Sequence, residues 1–231
     1  MTTTRRELRL STPAYPIAEA AHYLNLPVST LRAWCLGQGG RRTRRFQSVI
    51  KLDAPDRRAL SFLNLVEAHV LAALRRTHHV SLPQIRRALV YVEKRLSSNR
   101  PLANLDFETD GVDLFVEHLG NLINADREGQ MEMAAVIRAH LRRVERDAKG
   151  VPVRLSLFTR DSAEGDQPAP VVVDPQIAFG RPVLAGRGVP TAVLADRFKA
   201  GDTLEQLADD YEIATQVIEE ALRCELERKA A

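Results

Sequence analysis

Apolar residues recur at helical spacing from Tyr15 to Leu36. In YPIAEAAHYLNLPVSTLRAWCL, Ile17, Ala20, Ala21 and Leu24 share one face of a first helix, while Leu31 and Trp34 share the inner face of a second. Asn25-Leu26-Pro27-Val28 reads as the turn between them, and Ser29 is expected to cap the second helix. The alanines at 20 and 21 let two helices cross closely, so the pattern is a helix-turn-helix. A glycine-containing loop follows, then arginines, then Phe46 to Leu52, read as a short strand; loop and strand together form a wing.

Further along, residues 61–76 form a helix with a strongly apolar face, and Ser81 to Gln84 is a capping box with proline in the first turn of a helix reaching about Leu96. Asp113 to Glu117 and Asn121 to Asn124, joined across Leu119-Gly120, read as a hairpin. A helix from about Gln130 to Asp147 and an alternating strand from Val151 to Phe158 complete this part. Residues 160–170, RDSAEGDQPAP, carry two prolines and no apolar periodicity, and read as a linker. Beyond it come a Gly/Pro/Val-rich stretch and a helix from Thr191 to Lys199 stopped by Gly201. A second capping box at Thr203-Gln206 and a last helix capped by Thr215 close the segment.

The expected fold is mainly α with small β elements, an α+β chain. Its parts are a winged helix-turn-helix over 1–60, a mixed helical and hairpin middle region over 61–159, the linker 160–170, and a three-helix, helix-turn-helix-like unit over 171–231.

Composition narrows the function classes. A chain of 231 residues with 45% hydrophobic and 27% charged residues can bury a sizeable core. No apolar run approaches the roughly 20 residues of a membrane span, and MTTTRRELRLSTP has no apolar core of a secretory signal. The two cysteines, Cys35 and Cys224, lie far apart in sequence and are expected as reduced thiols in the cytoplasm. Charge is unevenly spread: residues 1–100 balance to +12 and the remainder to −9, within a formal total of +3. A basic front and an acidic back suggest two different partners, or one part shielding the other.

The densest charge is LGQGGRRTRRFQ, with Arg41, Arg42, Arg44 and Arg45 directly after the helix-turn-helix. The guanidinium fork suits phosphate, and a flexible wing can follow a groove. On this reading Ser29, Thr30 and Arg32 face base edges in the major groove, the four arginines track the backbone, and Trp34 belongs to the core. The plainer reading is a solvated charge run.

Tyr15 to Leu52 resembles the MerR-type winged helix-turn-helix: Leu31-Arg32-Ala33-Trp34 matches its Leu-Arg-x-Trp, and Arg45-Phe46 its arginine-aromatic pair. The tail is similar to a small helical domain found in VapB-type antitoxins. That likeness runs from Asp174 through FGRPVLAGRGVP to Pro190 and resumes from Gly201 to Tyr211, with Arg187-Gly188 where typical members have Thr-Arg or Arg-Arg. The two segments in this order look like an actinobacterial VapB antitoxin. The resemblance implies a VapC-like PIN-domain toxin, a metal-dependent ribonuclease, which this chain would bind and neutralise. It also implies operator DNA, through which the shared operon would be repressed. Readers of this kind usually recognise paired half-sites, so a homodimer is expected.

The final helix carries Glu219, Glu220, Glu225 and Glu227, which would repel phosphates. Its acid either meets a basic protein surface or faces water. Tyr211, Phe198, Glu219 and Glu220 are the candidates for toxin or dimer contact, with Val193, Leu207 and Ile218 as further dimer positions. The glycines of FGRPVLAGRG read as tight turns, since they lack the spacing of a phosphate loop. His78-His79 at a helix end, the buried-type Cys35, and the acidic loop of Asp106, Glu108, Asp110 and Asp113 suggest neither a metal site nor a catalytic group. No cofactor and no enzymatic activity are expected. Two alternatives remain: a MerR-like transcriptional regulator without a toxin, whose middle region senses a ligand, and a protein-interaction scaffold.

Overall fold

A computed structural model describes residues 5–40, 43–54, 58–78, 80–98, 100–104, 107–157 and 170–226. The chain is mainly helical with small antiparallel sheets, as expected of an α+β fold. It opens with a helix the sequence pattern did not reveal, α1 (Arg5–Ser11), which buries Leu10. Strand β1 (Tyr15–Pro16) pairs antiparallel with β4 (Ala59–Leu60), and so sets the start of the helix-turn-helix beside the start of the central helix. Between them lie α2 (Ile17–Tyr23), α3 (Val28–Leu36) and the hairpin of β2 (Gln38–Gly40) with β3 (Thr43–Phe46).

The centre is α4 (Phe62–His78). Phe62, Leu65, Val66, Ala68, Val70 and Leu71 are all completely buried, because α1, the later helix Arg127–Leu141 and a 3-10 turn at Pro101–Ala103 surround it. Helix α5 (Leu82–Leu96) starts at the foreseen capping box, with Gln84 returning to the Ser81 backbone at 3.1 Å.

The expected hairpin at 113–124 is a helix, α6 (Val112–Ile123). Val112, Phe115, Val116 and Leu119 sit at 3.6-residue spacing and all are buried, which a strand period cannot achieve. Gly120 is no turn: a Cβ there would come within 2.6 Å of the Gln130 side chain, so glycine permits close crossing of α6 and α7 (Arg127–Leu141). Of the acidic positions read as a loop, Asp106 falls outside the described residues, and Glu108, Asp110 and Asp113 form no open loop. Residues Phe107–Gly111 form a π-helical turn, Glu108 pairs with Arg146 at 3.0 Å, and Asp113 pairs with Arg138 at 2.6 Å. Helix α7 also stops short of the expected Asp147. Val144 enters a ladder instead, as β5 (Val144–Arg146) opposite β6 (Pro152–Ser156), so the middle region's hairpin is this one.

Strands from both sides of the expected linker share one sheet, ordered β5-β6-β7-β8, with β7 (Val171–Val173) and β8 (Pro182–Leu184). Leu155 faces Val173 and Val171 faces Leu184 across antiparallel pairs. All three residues of β7 are buried, because α10 (Thr215–Leu226) lies on it. With α8 (Thr191–Lys199) and α9 (Leu204–Tyr211) it makes the foreseen three-helix unit. Gly201 ends α8 at φ +113°, and Thr203 and Gln206 cap α9 reciprocally. Thr215 is the first residue of α10, not its cap. Leu207 and Ile218 are completely buried core residues, which removes them from any dimer surface.

Candidate nucleic-acid interface

Helices α2 and α3 bury Ile17, Ala20, Ala21, Leu31 and Trp34, as their spacing requires. The turn closes through the Leu26 amide on the Ala21 carbonyl at 2.9 Å, with Asn25 left-handed at φ 50°. Pro27 occupies the cap position, so α3 begins one residue before Ser29, which therefore lies in the first turn and makes no cap. Ser29 and Arg32 are exposed and Thr30 is half-buried, leaving this face open to solvent. Gly37, at φ 74°, turns the chain from α3 directly into the hairpin.

The hairpin is made by the arginine segment itself. Arg44 and Arg45 lie on β3, and Arg41 and Arg42 fall outside the described residues. Of the strand expected over Phe46 to Leu52 only Phe46 is extended, as the end of β3, because the amides beyond it go elsewhere: those of Val49 and Ile50 both donate to the Trp34 carbonyl, at 2.8 and 3.0 Å. The end of the wing is thus tied to the end of α3. Burial pushes the Cys35 thiol up to about 12, with the nearby Glu67 charge adding to it, which leaves the thiol inert.

A buried polar network supports this junction, and nothing in the spacing of the sequence announced it beyond one acid inside the apolar run LVEAHVLAAL. The Asn64 Nδ2 donates to the Lys51 carbonyl at 3.0 Å and to Glu67 at 2.8 Å. Arg100 bridges Glu67, at 3.5 Å, and Asp53. Burial raises the Glu67 carboxyl from 4.5 to about 7; Arg100 and Asn64 pull it back, while Asp53 and Glu93 add to the rise. A carboxyl with a raised folded pKa holds an extra proton in the native state, so stability falls as pH rises from about 4.5 to about 7. At about 1.4 kcal/mol per pH unit the change reaches roughly 3 kcal/mol. Urea denaturation between pH 5 and pH 8 will show this fall, and Glu67→Gln will flatten it; an unchanged slope in the variant would refute the assignment.

The C-terminal unit packs against the base of α2. A Cβ at Gly180 would lie 2.3 Å from the Tyr15 hydroxyl, and Arg181 approaches Glu19 at 3.8 Å. Glu19 also accepts a hydrogen bond from the Tyr23 hydroxyl. Burial raises both phenols, and the Glu19 charge adds to the effect.

The acidic positions are partly engaged within the unit. Arg197 bonds Asp210 at 2.5 Å and Asp202 at 2.6 Å, which raises its own pKa, and lies 5.5 Å from the centre of the Tyr211 ring. Arg223 comes within 3.9 Å of Glu219 and 4.0 Å of Glu220, and Glu225 accepts from Thr191 at 2.6 Å. Phe198 stays 38% exposed. Helix α4 ends at His78, while His79 and Glu227 fall outside the described residues. Among the described residues no three His, Cys, Asp or Glu side chains cluster to hold a metal, and no helix is long and apolar enough to cross a membrane.

A helix-turn-helix with a hairpin wing thus precedes a helical middle region, which shares one sheet with the small C-terminal helical unit. Residues 13–89 match the family described as "Putative DNA-binding HTH domain", and residues 171–223 match "Protein of unknown function (DUF433)". The chain is 31% identical over 237 residues to the "Putative antitoxin VapB45" of Mycobacterium tuberculosis, across 94% of this chain and 95% of that protein. It is 26% identical to the uncharacterised protein Rv2308 of the same organism, across 92% and 90%. The crystal structure of Rv2018 from Mycobacterium tuberculosis superposes with a TM-score of 0.67 at 25% identity, covering 93% of this chain and all of that one. The chain belongs to the VapB-type antitoxin family represented by VapB45.

Proposed function

We propose that this protein is the antitoxin of a type II toxin–antitoxin pair. It binds and neutralises a VapC-like PIN-domain ribonuclease in the cytoplasm, and binds operator DNA to repress its own operon. One observation carries the DNA half: the open face of α3 with Ser29, Thr30 and Arg32 runs directly into a two-stranded hairpin built from the arginine segment. Residues 1–60 act as the reader, with Arg41, Arg42, Arg44 and Arg45 on phosphates. Residues 61–159 and 171–231, joined by 160–170, carry the partner surfaces. Phe198, Tyr211, Glu219 and Glu220 are assigned to a protein partner, either the toxin or a second copy. The protein performs no catalysis of its own and needs no cofactor.

The likeness to VapB45 along nearly the whole chain supports the toxin half. Co-expression with a PIN-type toxin encoded beside this gene is the test: it is expected to restore growth and yield a co-purifying complex. Glu219→Lys combined with Glu220→Lys should weaken that complex at least tenfold if acidic complementarity carries it. Absence of both rescue and complex would leave a transcriptional regulator without a toxin.

A further inference from the structure

Helix α5 carries a cationic face that the helix-turn-helix reading does not use. Its buried side is Ile85, Ala88, Leu89 and Val92. Opposite them, positions three and four apart set Pro83, Arg87, Val90 and Lys94 in one row along this single helix, all exposed. Arg95 is exposed beside that row, its guanidinium 5.7 Å from the centre of the Tyr91 ring. Among the described residues Arg87, Lys94 and Arg95 pair with no carboxylate, whereas Arg100, Arg138, Arg146, Arg154 and Arg197 all do.

The nearby acids are engaged elsewhere. Glu93, at one edge of the face, pairs with Lys51 at 3.4 Å. On α6, which packs alongside with His118 stacked on Tyr91, Asp113 pairs with Arg138, and Asp113 and Glu117 line the groove toward α7. Helix stability does not account for the face. A cation in the last turn gains from the helix dipole, which covers Lys94 and Arg95. Arg87 stands in the first half, where that gain is absent. Helical ion pairs would need acids three or four residues from Arg87 or Lys94, and those places hold Pro83, Gln84, Val90, Tyr91, Ser97 and Ser98.

Position and chemistry say which partner fits. The face borders the exit of the wing, where Glu93 meets Lys51, so it continues from the end of the hairpin. Arg87 and Lys94 lie about 10 Å apart along the axis, a span in which one strand of a duplex passes roughly three phosphates. One partly exposed apolar side chain, Val90, sits between the cations. That suits a solvated phosphate backbone and not a protein interface, whose centre is apolar and poor in charge.

We propose that α5 makes a second contact with DNA: Arg87, Lys94 and Arg95 hold backbone phosphates of the duplex flanking the bases that α3 reads. The inference rests on the DNA reading of the proposed function, and extends the contact surface beyond residue 60. Arg87→Ala, Lys94→Ala and Arg95→Ala combined in the full chain change exposed side chains only, and should keep the circular dichroism spectrum. Binding to a long promoter duplex should weaken roughly tenfold at physiological salt, and the slope of log K against log salt should fall by about 2 to 3. A duplex trimmed to the bases under α3 and the wing should bind variant and wild type alike. Removing the same charge at exposed Arg127, Arg142 and Lys149 should change neither result. An α5 variant that keeps the wild-type slope on the long duplex overturns the proposal, and leaves the DNA reading to stand on the wing variant. An equal loss on the trimmed duplex sinks the flanking assignment. Wild-type protein that shifts no duplex overturns both readings. If the α5 variant binds DNA normally yet loses the co-expressed toxin, the face belongs to the toxin and the duplex assignment fails.

Discussion

Replacing Arg41, Arg42, Arg44 and Arg45 together by alanine is expected to abolish the mobility shift of the protein's own promoter at physiological salt. Each phosphate contact releases condensed counterions, worth about 0.9 in the slope of log K against log salt. Four lost contacts should flatten that slope by roughly 3 to 4. The loss should fall equally on operator and random duplex, because phosphates carry no sequence information. Arg32→Ala should behave differently. It lies on the open face of α3, so its loss should cost about 1–3 kcal/mol on the operator and much less on random DNA. Titrations at four salt concentrations on both duplexes separate the two effects. A quadruple variant that keeps the wild-type slope would show that the hairpin does not touch the backbone.

Trp34→Ala should have the largest effect on stability. The ring is 1% exposed and packs α3 into the core, while the Trp34 carbonyl receives the Val49 and Ile50 amides that end the wing. Truncating a buried tryptophan costs about 3–5 kcal/mol, a large share of the roughly 5–15 kcal/mol that stabilises a native protein. Denaturant titration will show that loss, and DNA binding will fall with it because α3, whose Trp34 carbonyl holds the end of the wing, loses the ring that packs it into the core. Arg32→Ala is the control: an exposed substitution should stay within about 0.5 kcal/mol of wild-type stability while still weakening operator binding. If Trp34→Ala unfolds at the wild-type denaturant midpoint, the packing role of the ring is wrong.

Some of this was legible in the chain because the signal is local. The apolar faces of α2, α3 and α4 follow a 3.6-residue period, and the capping boxes at Ser81 and Thr203 are read from four residues each. Two misreadings came from local signals as well. Leu119-Gly120 looks like a turn until Gln130 is known to cross it, and Val144 continues a helical pattern until a strand is available to pair with it. Ser29 has the chemistry of a cap, but Pro27 already occupies that position. Among the candidate partner residues, Leu207 and Ile218 carry the same amphipathic signal as an interface, and only the packing of α8 to α10 shows them inside.

By itself the sequence determined the helix-turn-helix, the basic front with its arginine segment, the acidic back and the three C-terminal helices, since each depends on neighbours within a turn or two of chain. Tertiary structure alone decided that residues 144–156 and 171–184 share a sheet, that Glu67, Asn64 and Arg100 meet beside Lys51 and Asp53 past the end of the wing, and that Phe179 stands out in solvent on a loop braced by Tyr15. These arrangements join residues tens of positions apart or more. Which distant groups share a buried space is fixed by the packing of the whole core, and no periodicity along the chain encodes it.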